Sequence, residues 1–151
     1  MKSRDMSRAT SFKRAGTFDG APTRTAILTH SDRHVRRKLL ELSDGDVLVD
    51  LPNTIALRDG DVLVLEDGGL IGIEAADEPL LEVIGKDPKH LLTLAWYLGN
   101  RHLPAQIEDG RILIQRDHVM ERMLDALGAA VRKVSEPFSP EHGAYHNHSH
   151  D

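Results

Sequence analysis

Residues 80–134 run LLEVIGKDPKHLLTLAWYLGNRHLPAQIEDGRILIQRDHVMERMLDALGAAVRKV, and their punctuation decides the fold. Residues 80–84 read as a strand, after which Asp87 and Pro88 supply an N-cap and a proline at the first helical position. The helix they open runs through Leu98, with Leu91, Ala95 and Leu98 on one apolar face and Gly99 as its expected stop. Residues 105–108 and 111–115 pair across Asp109-Gly110. Asp117 caps a second helix in which Met120, Met123, Leu124 and Leu127 follow the i, i+3, i+4, i+7 spacing; Gly128 ends it, and 130–134 form a last strand. The order βαββαβ predicts a split-βαβ, ferredoxin-like domain.

Upstream the texture is all-β. Strands are expected at 25–30, 35–42, 47–51, 62–66 and 70–75, separated by Asp44-Gly45, Asp59-Gly60 and Asp67-Gly68 at hairpin spacing. The Arg- and Lys-rich run 35–42 also fits a helix; the strand reading is preferred here. Residues 1–20 carry mostly Arg, Lys, Ser and Thr, with Phe12 and Phe18 as the large apolar residues besides methionine, and are expected to be a disordered extension. The chain is thus an α+β protein divided into 1–20 (extension), 21–77 (small β domain), 78–136 (ferredoxin-like domain) and 137–151 (a flexible His-rich tail). Domains of about 60 residues have marginal cores, so packing between domains or subunits is expected.

Composition narrows the function classes. The 151 residues are 40% hydrophobic and 28% charged, with a net charge of -5 and no cysteine. Disulfides, thiolate zinc sites and iron–sulfur clusters are excluded, so a transition metal would be held by nitrogen and oxygen. No apolar run approaches the roughly 20 residues that span a bilayer, and the start lacks a secretory core, so no membrane association and a cytoplasmic location are expected. The acidic balance speaks against nucleic acid as a partner, and residues 105–115 lack the aromatics by which an RNA-binding βαββαβ sheet stacks bases. No H-E-x-x-H or comparable set of ligands with a general base is present, so the chain is not expected to be an enzyme.

Four of nine histidines lie in the last ten residues: His142, His146, His148 and His150. On an extended chain alternate side chains project to one side about 6 to 7 Å apart, so the last three can present a row of imidazoles. Only a neutral ring donates its lone pair to a metal, and free imidazole, with a pKa near 6.5, is mostly neutral in the cytosol. Nickel, copper and zinc all suit such ligands, with copper binding tightest in the Irving–Williams order. The stretch alternates His with Asn and Ser, unlike a purification tag.

His102 stands apart, just beyond the first helix of the second domain. One imidazole cannot hold a divalent ion, but a symmetric dimer that places two copies face to face on its two-fold axis could, with the tails completing the coordination. His118, in the first turn of the second helix, is a further candidate, because the helix dipole there favours a neutral ring. His90 reads as a solvated first-turn residue. His30 and His34 are four apart, but Ser31-Asp32 between them suggests a turn.

Several segments together carry a resemblance: Gly99-Asn100-Arg101-His102-Leu103-Pro104, Asp117-His118-Val119, Pro137-Phe138 and Gly143-Ala144-Tyr145, followed by the His-rich end. In the first half, Leu51-Pro52, Leu57-Arg58-Asp59-Gly60-Asp61-Val62-Leu63, Glu66-Asp67-Gly68 and Glu74-Ala75-Ala76 agree in content and order. The chain resembles the UreE family of urease accessory metallochaperones over about residues 23–151, with the first 20 outside the likeness. The resemblance implies a homodimer whose second domains meet near His102 and bind nickel between subunits. It also implies delivery of nickel to the urease apoprotein within an accessory complex that includes the GTPase UreG, with the first domain serving protein contact. Two departures qualify it. Arg116 stands where some members have a further histidine, and a tail of four histidines is short for bulk nickel storage. The rival reading is a general nickel or zinc buffer.

Overall fold

The computed structural model describes residues 6–141, and the chain divides into two compact units between Ala76 and Asp77. The first unit contains β1 (Met6–Lys13), β2 (Arg24–Leu28), β3 (His34–Leu42), β4 (Gly45–Ala56), β5 (Val62–Leu65) and β6 (Leu70–Ala75). They form one sheet in the order β2-β6-β5-β1-β4-β3. Alternation along β4 buries Val47, Val49 and Leu51 on the face where Ala9, Leu63 and Ile71 also sit.

Two expectations change here. Residues 6–13 of the expected disordered extension are a strand, and an interior one: β1 pairs in parallel with β4 and antiparallel with β5. Its apolar contribution is small, chiefly Ala9 and the partly buried Phe12, because the backbone ladder on both sides holds it. The Asp59-Gly60 turn accordingly is not a hairpin, since β1 lies between the strands it connects. Asp44-Gly45 and Asp67-Gly68 do join antiparallel neighbours. The Asp59-Gly60 loop instead clamps β1. The buried Asp61 carboxylate accepts from Arg14 Nη1 at 2.7 Å, the Ala15 amide at 3.0 Å and the Arg58 amide at 2.7 Å. A buried carboxylate so fully satisfied ties the end of β1 to the loop that passes it.

The second unit contains β7 (Asp77–Ile84), α1 (Pro88–Asn100), β8 (Ala105–Ile107), β9 (Ile112–Gln115), α2 (His118–Ala126) and β10 (Ala130–Pro137). Its four strands lie in the order β10-β7-β9-β8 with every neighbouring pair antiparallel. Leu81, Val83, Ile112 and Ile114 face Leu91, Leu94 and Leu98 of α1 and Met120 and Leu124 of α2. Each such side chain contributes about 1.5–3 kcal/mol on burial.

Alternation sends Leu80 and Leu113 to the opposite face, where Phe138 covers them with no exposed surface. The expected flexible tail therefore begins too early at 137: Phe138 is core, because both helices described in this unit pack on the other face of the sheet. Residues 142–151, with four of the candidate ligands, lie outside the described residues.

Candidate metal centre

Both helices begin on an aspartate: Asp87 accepts the His90 amide at 2.7 Å, and Asp117 accepts the amides of Val119 at 2.8 Å and Met120 at 3.1 Å. Both end in one motif. In α2 the Gly128 amide donates to Asp125 O and the Ala129 amide to Leu124 O, each at 3.0 Å, with Gly128 at φ 85°. In α1 the His102 amide donates to Gly99 O at 3.0 Å and the Leu103 amide to Leu98 O at 3.4 Å. These are the paired bonds of a Schellman cap, which needs a left-handed residue after the C-cap. Glycine fills that place in α2; His102, at φ 58°, fills it in α1, and it is the one non-glycine with positive φ among the described residues. Gly99, expected to stop the helix, lies within it.

A side chain in the left-handed region costs roughly 1–2 kcal/mol relative to glycine. The turn holds it there because Leu103 packs into the same cluster as Leu98. The exposed imidazole is consequently presented on a rigid corner.

His118 is the first residue of α2 and is exposed. Because Ala105 pairs with Ile114, the loops bearing His102 and His118 leave the sheet at the same end. His118 lines a pocket of ≈ 180 Å³ together with Leu81, Arg116, Asp117, Glu121 and Lys133. The Arg116 guanidinium is fixed there by Leu80 O at 3.1 Å and Val134 O at 2.9 Å, and it and Lys133 share the pocket with the carboxylates of Asp117 and Glu121. Among the described residues no group of three or more His, Asp or Glu side chains is arranged to hold a metal ion. A site on His102 needs donors from elsewhere.

His90 is not the solvated residue its sequence position suggests. Its Nδ1 accepts the Lys86 amide at 2.8 Å and its Nε2 donates to Leu127 O at 2.9 Å, so the ring is the neutral Nε2–H tautomer joining the start of α1 to the end of α2. His30 and His34 meet edge to face with centroids 5.1 Å apart in the first unit.

The face of α1 away from the core was missed in the sequence. Leu92 is 72% and Trp96 62% exposed, and with Gly99 they follow i, i+4, i+7 spacing toward His102. Nothing would meet a Cβ at Gly99 within 4 Å. The chain's single tryptophan standing off the Leu91–Leu98 stripe was the available signal.

On the second face of the sheet, Arg111 gathers three carboxylates: Glu82 at 2.9 Å, Glu108 at 3.1 Å and Glu136 at 2.7 Å. Arg132 reaches the buried Glu82 at 2.8 Å. The hydrogen bond from Arg111 holds the Glu136 carboxyl below its usual range, and the three carboxylates push the Arg111 guanidinium further up.

Comparison with known proteins agrees across both units. The family model for the UreE urease accessory protein C-terminal domain matches residues 78–151, and that for its N-terminal domain matches residues 10–76, reaching back into β1. The urease accessory protein UreE of Rhizobium meliloti (strain 1021) is 53% identical over 144 residues, covering 95% of this chain and 94% of that one. The UreE of Agrobacterium fabrum is 53% identical over 150 residues, covering 97% and 93%. That of Rhizobium etli (strain CIAT 652) is 54% identical over 144 residues, covering 95% and 71%.

Proposed function

The chain belongs to the UreE family of urease accessory proteins, which are accessory chaperones and not enzymes, and we propose that it carries nickel to the urease apoprotein during maturation of the urease active site. The observation that carries this reading is His102: one exposed imidazole per chain, held in a left-handed turn at the end of an apolar helix stripe. A single imidazole is too few ligands. A second copy docked along Leu92, Trp96 and Gly99 would bring two His102 rings to one two-fold axis, since an isologous interface repeats every residue across it.

His142, His146, His148 and His150 then supply further imidazoles. His118 is the weakest member of the set, because no second imidazole lines its pocket. Zinc and copper compete for such ligands, so nickel selectivity rests with supply and partners. The order β10-β7-β9-β8 supports reading the second unit as ferredoxin-like. The first unit is the surface for partner proteins, among them the accessory GTPase UreG. The cytoplasm is the proposed location; no helix among the described residues is long and apolar enough to cross a membrane.

Calorimetric titration of the full chain with nickel tests the site. One tight site per dimer is expected, lost in His102→Ala with the dimer intact; undiminished affinity in that variant would place the site elsewhere. Activation of urease apoprotein by the loaded protein, set against free nickel at the same concentration, separates delivery from the alternative of general nickel or zinc buffering and storage.

A further inference from the structure

β10 ends at Pro137 on one edge of the four-stranded sheet, and β8 is the other edge. Only four residues later the Glu141 amide donates to Ala105 O of β8 at 2.8 Å. Within those four residues the chain passes from one edge strand of the sheet to the other. Phe138 holds it at mid-sheet, fully buried with Leu80 and Leu113, and the Ser139 amide donates to Gln106 Oε1 at 2.8 Å.

The landing point is well defined. Glu108 N bonds Arg111 O at 2.9 Å, so along this hairpin the Ala105–Ile114 pair is a non-bonded one and the Ala105 carbonyl points outward from the edge. Glu141 satisfies it. His102 precedes Ala105 by three residues, which limits their Cα separation to about 11 Å.

We propose that residues 138–141 form a fixed strap, with Phe138 as its positioning residue, that starts the tail at the β8 edge beside His102 instead of at the far edge where β10 ends. This rests on the nickel reading above: the strap fixes Glu141, the residue before the His-rich segment, on the strand that follows His102. From Glu141, His142 is one residue away and His146 five; from Pro137 they are five and nine. Effective concentration falls as about the −3/2 power of linking length, so losing the strap should weaken the tail's contribution between about twofold and tenfold.

The test uses the full chain, which has no cysteine of its own. A spin label on Asn147→Cys should broaden the Leu103 and Ala105 amide resonances, and Phe138→Ala should weaken that broadening, while Phe138→Leu keeps both the broadening and the wild-type spectrum. Without the label, the Ser139 and Glu141 amides should be protected from exchange. Equal broadening in Phe138→Ala, or unprotected amides in the parent chain, overturns the strap. Nickel release from Phe138→Ala should be about twofold to tenfold faster than from the parent. Unchanged release in a chain whose His102→Ala variant has lost nickel overturns the strap's role and leaves the site reading standing. If His102→Ala keeps its nickel, the site reading falls, and the label still decides where the tail departs.

Discussion

The Leu103 amide reaches back to the Leu98 carbonyl at 3.4 Å, and the turn this bond closes puts His102 where the other helix of the same unit has Gly128. Replacing His102 by Gly should therefore raise unfolding stability by about 1 kcal/mol, since glycine enters the left-handed region freely. The same variant should lose the tight nickel site. Urea denaturation beside calorimetry reads both, and a destabilised His102→Gly would refute the strain.

Gly128 supplies the converse. A Cβ there would meet Lys86 Nζ at 2.8 Å as well as the unfavourable φ of 85°. Gly128→Ala should cost about 1–2 kcal/mol, measurable as a lower urea midpoint with nickel stoichiometry unchanged.

Trp96→Glu addresses the subunit contact. The side chain is mostly exposed in the single chain, so the monomer's stability should change by no more than about 0.5 kcal/mol. Sedimentation should show monomer in place of dimer, with the tight nickel site lost alongside. A dimer of unaltered strength would mean that α1 is not the contact.

Two truncations separate the tail's ligands from the fold. A chain ending at Glu141 keeps Phe138 and should unfold like the parent, while binding fewer nickel ions and releasing them faster. One ending at Pro137 uncovers Leu80 and Leu113 and should be destabilised by roughly 3–5 kcal/mol, the range for deleting a buried aromatic.

Acid stability follows from Arg111. Its hydrogen bond lowers the Glu136 carboxyl, so the stabilisation is fully present above the ordinary carboxylate pKa of about 4.3 and fades as pH drops through the lowered value. Arg111→Gln should therefore lose stability relative to the parent at pH 7, with the gap closing below pH 4. Urea melts at both pH values check this; a gap that widens in acid would contradict it.

Local signals in the chain determined the alternation of elements in the second unit: Asp87-Pro88 and Asp117 cap helices through bonds to amides within three residues, and Asp109-Gly110 turns a hairpin within two. The absence of cysteine determined that a metal would meet imidazole and oxygen in place of thiolate. Such features act over a few residues, and the sequence displays them directly. Only the tertiary structure decided that β1 enters between β4 and β5, because a strand held by backbone bonds on both sides needs little apolar patterning of its own. It alone decided that His102 takes the left-handed place expected of Gly99, since the register of the cap depends on Leu98 and Leu103 finding one core. Phe138 and Trp96 divide the same way. Both are large and aromatic in the sequence, yet one is buried under its own sheet and the other left bare, because burial depends on which surfaces the folded chain brings near.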